Sequence, residues 1–386
     1  MEVTISDAVK YIGVDDKTID LFESQYVVPE GVSYNSYVIL DEKVAVMDTV
    51  DKRGMEEWEA NLLKTLDGRK VDYLIVSHLE PDHAGSIARL VELFPEVTLV
   101  GNAKTFQMMP QFFDIPLEGH SLTVKEGDTL SLGSHTLTFV MAPMVHWPEV
   151  MVTYESTEKI LFSADGFGKF GALDCEDDDW ACEARRYYFN IVGKYGAPVQ
   201  TLLKKAKALD IACICPLHGP VLKENLGYYL DLYNTWSSYE PEDEGILIAY
   251  ASIHGNTAVA ANKLADILRQ KGAKKVVVSD LAREDMAEVI EDAFRYDRMI
   301  VAGASYDGGV FPCMQDFLHH LQSKAYQNRK VGIMENGSWA PTAARTMKGI
   351  LETMKNVTIA EPVVTIRSTM KESDIPAMEE LADAML

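Results

Sequence analysis

Four short apolar runs in the first part of this chain each end in a residue type that can bind a metal ion, and any fold has to accommodate all four. Residues 71–76 (VDYLIV) lead directly into Ser77-His78-Leu79-Glu80-Pro81-Asp82-His83-Ala84-Gly85-Ser86. Residues 137–143 lead to His146, residues 159–164 to Asp165, and residues 211–217 to His218. Short apolar runs bounded by turn residues read as buried strands. A lone His beside such a run is usually structural, and Asp-Gly alone is a turn signal. Recurrence outweighs that reading, because a layered sheet fold gathers strand ends along one edge. Pro81 and Gly85 argue against a helix through the first cluster. Alternate residues of an extended segment point the same way, so His78, Glu80 and Asp82 are expected to project into one cavity.

The intervening patterns alternate between β and α. Residues 34–40 and 43–48 are β-prone, separated by Asp41-Glu42. Residues 54–67 place Trp58, Leu62, Leu63 and Leu66 at helical spacing, residues 86–94 read as a second helix, and residues 97–100 as a strand. Residues 182–191 read as a helix ending near Gly193, with Tyr187 and Tyr188 packed on the core. The acidic run from Asp174 to Asp179 reads as a solvated loop. Four imidazoles and three carboxylates without a thiolate form a harder donor set than a structural zinc site uses.

A charged stretch with Pro and Gly, residues 239–245, marks a domain boundary, giving domains over 1–243 and 244–386; a chain of 386 residues is long for one compact core. Residues 246–250 then read as a buried parallel strand. It runs into Ser252-Ile253-His254-Gly255-Asn256-Thr257 and a helix over 258–271. A strand, a loop of small and hydroxyl residues and a helix N-terminus together cradle a phosphate. No Walker lysine is present, which argues against a nucleoside triphosphate. Two later strands, over 297–302 and 330–334, end in Ser305-Tyr306-Asp307-Gly308-Gly309 and in Asn336-Gly337-Ser338-Trp339. Tyr306 and Trp339 are placed to flank a planar ring. The pattern predicts a doubly wound parallel sheet with ligand loops at the carboxyl ends of its strands.

The net charge of -23 disfavours nucleic acid and anionic membranes as partners. No basic-then-apolar leader opens the sequence and no apolar run is long enough to span a bilayer. The five cysteines form no C-x-x-C pair, and their odd number fits a reducing cytoplasm.

The ordered set His78-x-Glu80-x-Asp82-His83, then His146, Asp165 and His218, resembles the metallo-β-lactamase superfamily and, more specifically, the flavodiiron proteins. Glu80 stands where the wider superfamily commonly has a second His, and this change marks the diiron branch. The resemblance implies an αββα sandwich with the site at one edge. It assigns His78, Glu80 and His146 to one iron and Asp82, His83 and His218 to the other, with Asp165 bridging, and it makes Tyr195 the matching candidate for a pocket tyrosine. The second half resembles flavodoxin and implies bound flavin mononucleotide (FMN). His254 is unusual in the first loop, and Ala304 stands where that family commonly has proline. The order of the two halves, with no rubredoxin or flavin-reductase module after them, resembles the minimal two-domain flavodiiron class. That class implies reduction of O2 to water, of NO to N2O, or both. It also implies rubredoxin as the electron donor and a head-to-tail homodimer, alone or paired into a tetramer. A dizinc hydrolase with an accessory flavodoxin domain is the alternative, and a non-enzymatic flavin electron carrier or sensor with a structural metal site is another.

Overall fold

The computed structural model describes residues 3–175 and 179–386. These residues form two compact units, one built from residues up to 188 with 197–234, the other from 189–196 with 235–386. Glu176, Asp177 and Asp178 of the acidic run lie outside the described residues.

The first unit is a mixed α/β sandwich of two sheets. The first sheet runs β1 (Val9–Tyr11), β2 (Tyr37–Leu40), β3 (Val44–Met47), β4 (Tyr73–Ile75), β5 (Thr98–Gly101), β6 (Ser121–Thr123), in that spatial order. The second runs β7 (Thr129–Ser131), β8 (Thr136–Met141), β9 (Met151–Glu155), β10 (Ile160–Phe162), β11 (Cys213–Cys215). One core cluster contains Ile39, Ala45, Met47, Ile75 and Val100 from the first sheet and Leu137, Phe139, Met151, Ile160, Phe162 and Cys215 from the second. The alternate residues Val38, Val44, Val46, Leu74 and Leu99 are also buried, on the opposite face of the first sheet. A sheet buried on both faces needs a helical layer outside it, which is the αββα arrangement.

Several predicted elements change at their ends. The run 34–40 is interrupted because Asn35 turns aside to clamp another loop: its Nδ2 donates to the carbonyls of Pro216 and Gly219, each at 2.8 Å. The first helix, α1 (Met55–Leu66), buries Trp58, Leu62 and Leu66, but Leu63 faces out at 45% exposure. The segment expected to be extended through Asp82 instead makes a short helical turn, Pro81–Ala84. Pro81 opens the turn, where its missing N–H costs nothing. Gly85 closes it where a Cβ would lie 2.5 Å from the Pro81 carbonyl oxygen.

An ionic clamp joins the two sheets at turns remote in sequence. Asp41, in the β2–β3 turn, accepts from the His135 backbone N–H at 2.6 Å and from Nδ1 at 2.8 Å. Burial disfavours the charge on His135, but the carboxylates of Asp41 and Glu158 outweigh it and raise its pKa above the usual imidazole value. A raised folded-state pKa gives stability that is fully present below the unfolded value near about 6.5 and is lost as pH rises through the folded value. His135→Ala is therefore expected to lower the unfolding midpoint more at pH 6 than at pH 9, measured by urea titration. An equal loss at both pH values would show that the charge plays no part.

The second unit is built on parallel strands, with β12 (Asp243–Ala251) between the edge strand β13 (Val276–Asp280) and the central β14 (Tyr296–Tyr306), followed by β15 (Lys330–Asn336) and the short β16 (Thr358–Ile359) and β17 (Val364–Ile366). The order places the chain reversal between β12 and β14, the position at which doubly wound sheets bind ligands. The expected linker over 239–245 is largely built into this unit. Glu242 accepts from Trp236 Nε1 at 2.7 Å, Asp243 pairs with Arg295 at 2.7 Å, and residues from Asp243 onward are strand. Charged residues there fasten the strand's start rather than solvate a flexible joint.

Candidate metal centre and flavin-type loops

Topology brings the ligand-type residues to one edge. Strands β10 and β11 are parallel, and β8 runs the same way because it and β10 are both antiparallel to β9. The ends leading to His146, Asp165 and His218 therefore share a side. The first cluster is tied to that side by the Met151 N–H, which donates to the Ser77 carbonyl at 3.1 Å. The Asp48 carboxylate receives the Ser77 N–H at 2.7 Å, and its burial pushes its pKa up to about 6. Asp48, Met144, Ala164 and Phe167 all adopt positive φ, between 51° and 66°. Each such non-glycine residue costs on the order of 1–3 kcal/mol, and such strain concentrates at functional sites.

All seven ligand-type residues come together, in two groups. His78, Glu80, His146 and Asp165 form one; Asp82, His83 and His218 form the other. Pro81 separates them, since the helical turn swings Asp82 and His83 away from His78 and Glu80. Asp165 serves both groups. Its Oδ2 lies 3.4 Å from both His78 Nε2 and His146 Nε2, and its Oδ1 lies 3.0 Å from His83 Nε2 and 3.9 Å from His218 Nε2. Glu80 is 3.1 Å from His78 Nε2 and 3.0 Å from His146 Nε2, and Asp82 is 3.1 Å from His218 Nε2. Donors at about 2.1 Å from one ion and at right angles to each other lie about 3 Å apart, so the spacing suits a shared ion in each group.

The chemistry of the donors supports the same fit. Both oxygens of Asp82 and Asp165, both ring nitrogens of His83, and Nε2 of His146 and His218 are buried without a hydrogen-bond partner. Orphaned buried charges are costly unless paired or metal-bound. Burial opposes charge on His78, but Asp165, Glu149 and Glu80 hold its pKa well above the usual value. The same competition pushes His146 up to about 9, and the surrounding imidazoles hold Asp165 well below the carboxylate range against its own burial. The carboxylates thus stabilise positive charge where the imidazoles converge, and metal ions replace those protons on binding.

Sequence reasoning missed several residues around this centre. Glu149 is fully buried and binds His78 Nδ1 at 2.8 Å and the Leu79 N–H at 2.9 Å. Tyr187 packs its ring 5.4 Å from the His218 ring, and Phe22 and Tyr34 close the same imidazole from other sides at 5.5 and 6.1 Å. Burial, then the charges of Asp165, Asp82 and Glu80, raise the Tyr187 phenol well above its usual pKa. Tyr187 thus stands beside the ligand-type residues, a place the sequence reading did not give it. Tyr195 belongs to the second unit, half-buried in a short 3-10 turn with Lys194 Nζ 6.0 Å from its ring centre. A π-helical segment, Tyr188–Val192, follows helix α2 (Trp180–Tyr187) and interrupts its register before Tyr195. Desolvation and the neighbouring Glu80 carboxylate push Glu23, in the turn between Leu21–Phe22 and Tyr26–Val27, up to about 7.

In the second unit three expected loops lie at strand ends. Gly255 (φ +90°) precedes helix α3 (Asn256–Gln270), its N–H donates to Ser252 Oγ at 3.1 Å, and no atom lies within 4 Å of where its Cβ would be. That open space beside a helix N-terminus is a cradle for a phosphate. Trp339 is 89% exposed and Tyr306 44%, large apolar rings left uncovered on two loops of one sheet edge. Two expected contacts have other work. Ser305 Oγ receives the N–H groups of Thr342 (2.9 Å) and Ala343 (3.2 Å), and Asn336 exchanges hydrogen bonds with the Ser368 backbone. The loop after β17, holding Arg367 and Ser368, thereby joins the rim. Its apolar run followed by Arg-Ser-Thr was the available signal.

An αββα sandwich holding a dinuclear His/carboxylate centre, followed by a flavodoxin-type sheet, defines a class of redox protein with two cofactor sites. A profile described as ODP family beta lactamase matches residues 32–219. The chain is 29% identical to a nitric oxide reductase of Moorella thermoacetica over 98% of this chain and 96% of that one. Among solved structures it resembles the rubredoxin oxygen:oxidoreductase of Desulfovibrio gigas (TM-score 0.93, 24% identity, covering 100% and 98% of the two chains). It also resembles the flavodiiron protein of Giardia intestinalis (TM-score 0.91, 23% identity, covering 100% and 96%). The profile and the relatives support a flavodiiron protein, and the solved structures share its two-part fold.

Proposed function

We propose that this protein is a flavodiiron oxidoreductase that reduces NO to N2O, with electrons relayed through FMN bound by the second unit. The observation that carries this reading is Asp165, whose two oxygens face two separate His/carboxylate groups. His78, Glu80 and His146 would hold one iron, Asp82, His83 and His218 the other, and Asp165 both. The relative from Moorella thermoacetica is named for NO reduction. O2 reduction to water is a second reading, favoured by the name of the Desulfovibrio gigas structure. A ferrous pair supplies electrons and binding sites for a diatomic, and flavin supplies two further electrons. Coupling two NO to N2O and water takes up two electrons and two protons.

This chain's own residues bind, orient and exclude water. Phe22, Tyr34 and Tyr187 wall the His218 side with apolar ring surface. The Tyr187 hydroxyl keeps its proton, because burial and three carboxylates oppose its loss, while its ring packs on His218. Ser252, Ile253, His254, Gly255, Asn256 and Thr257 would hold the flavin phosphate. Tyr306, with Asp307, Gly308 and Gly309, and Trp339, with Gly337 and Ser338, would bracket the ring. Tyr195 remains the candidate catalytic tyrosine that the resemblance assigns to the diiron pocket.

The same reading takes rubredoxin as the donor and a head-to-tail homodimer or dimer of dimers as the assembly, in the cytoplasm, with functional modules over 1–243 and 244–386. The five cysteines are free thiols, and among the described residues no helix is long and apolar enough to cross a membrane. The test is anaerobic reduction of iron- and FMN-loaded protein, followed by measurement of NO and O2 consumption in parallel. Consumption of NO with N2O released at one per two NO is the expected result. Protein that retains two zinc ions and no flavin, and hydrolyses esters instead, would overturn it.

A further inference from the structure

The two donor groups are closely matched. Each has two imidazoles and one carboxylate of its own, and they share Asp165. Their own ligands therefore give no reason for one metal to be easier to reduce than the other. The layer behind the ligands is different. His78 Nδ1 meets the Glu149 carboxylate at 2.8 Å, whereas His218 Nδ1 meets a neutral acceptor, the Ser33 backbone carbonyl, at 2.7 Å. Nδ1 of His83 has no hydrogen-bond partner. Glu149 is fully buried, so little solvent screens its charge, and its Oε2 has no hydrogen-bond partner to share that charge. A carboxylate accepting the ring N–H of a ligating imidazole fixes the tautomer and makes the other nitrogen more basic. A more basic ligand stabilises the higher oxidation state of its metal, and hydrogen bonding behind the ligands is a recognised lever on potential.

We propose that Glu149 sets the order in which the two irons accept electrons: through His78 it holds the His78–Glu80–His146 iron oxidised while the Asp82–His83–His218 iron is reduced first. The half-reduced centre then has a defined location for its electron instead of sharing it between equivalent sites. Glu149 is a positioning residue here, since it acts on the metal through His78. The proposal rests on the diiron reading above and adds a direction to it. Each step is the arrival of one electron, supplied by the flavin, at one iron.

Glu149→Gln keeps an acceptor for the His78 Nδ1–H and the Leu79 N–H and removes the charge. The experiment is a redox titration of iron-loaded wild type and variant, followed by Mössbauer and electron paramagnetic resonance spectra at half reduction. Wild type is expected to show two separated one-electron steps and a localised mixed-valence signal. In the variant the separation shrinks and the mixed-valence signal at half reduction weakens. Glu149→Ala, which also frees the ring, is expected to weaken iron binding at the first site by about 10-fold to 100-fold. An iron-loaded Glu149→Gln protein with the wild-type separation and signal overturns the proposal. Wild type that binds no iron pair fails differently: it removes the diiron reading, and the proposal with it. If the Gln variant does not fold, anomalous diffraction across the iron edge on half-reduced wild-type crystals decides. Ferrous iron at the Asp82–His83–His218 site sustains the proposal, and ferrous iron at the other site overturns it.

Discussion

Asp165→Ala is expected to abolish NO reduction while leaving the flavin content unchanged. This residue supplies an oxygen to each donor group, 3.4 Å from His78 and His146 on one side and 3.0 Å from His83 on the other. Removing a group that only orients a ligand costs about 10-fold to 100-fold, and removing a ligand shared by two ions costs more, so activity should fall by more than about 100-fold. Iron per chain should fall with it, because four imidazoles facing one another without the central carboxylate repel the charge a metal brings. Asp165→Asn separates shape from charge: the amide fills the space and removes the anion, and low iron content is expected there too. Retained gas reduction in either variant, with flavin bound, would support the electron-carrier reading and a merely structural metal site.

Arg329→Leu is expected to cost the second unit at least about 3 kcal/mol and to release FMN at lower temperature than wild type. Arg329 is 3% exposed and donates to the carbonyls of Tyr296 (2.8 Å), Tyr239 (2.7 Å), Phe294 (2.5 Å), Gln327 (3.1 Å) and Asn328 (3.3 Å). Burial lowers its pKa from the usual arginine value, but the group stays charged. Each buried carbonyl left unpaired costs about 1–3 kcal/mol, and a leucine pairs none of them. For a unit of this size, 3 kcal/mol corresponds to a fall of about 6–12 °C in Tm. Lysine should rescue only part of the loss, since one ammonium cannot span acceptors arranged around a planar fork. A Tm unchanged within about 2 °C would show that these contacts contribute no net stability.

Much of the metal centre was legible because chemistry and punctuation coincide in the chain. His78, Glu80, His146, Asp165 and His218 each follow an apolar run, and local turn residues mark where each run stops. Spacing alone did not divide these ligands; the division came from the family resemblance. An extended reading of 78–82 put Asp82 with His78, whereas Pro81 starts a helical turn that sends Asp82 to the other group. The place of Tyr187 beside His218 was not legible for a similar reason. Tyr187 and Tyr195 are eight positions apart, so a regular helix would keep them near one face, and the π-helical segment between them removes that relation. In the second unit the strand-end loops were readable from β-runs followed by small and hydroxyl residues. The capture of Ser305 and Asn336 by Thr342, Ala343 and Ser368 was not, because those partners come from more than thirty residues away.

The amino-acid sequence by itself determined the donor types, their delivery at strand ends and the βαβ character of the second unit, since each depends on residue type and short-range period. Tertiary structure alone decided how the donors gather into two groups, that Asp165 faces both, and that Glu149 stands behind His78 and not behind His218. Those facts depend on the register between strands far apart in the chain, and a hydrogen bond across 71 positions leaves no local pattern for periodicity to reveal.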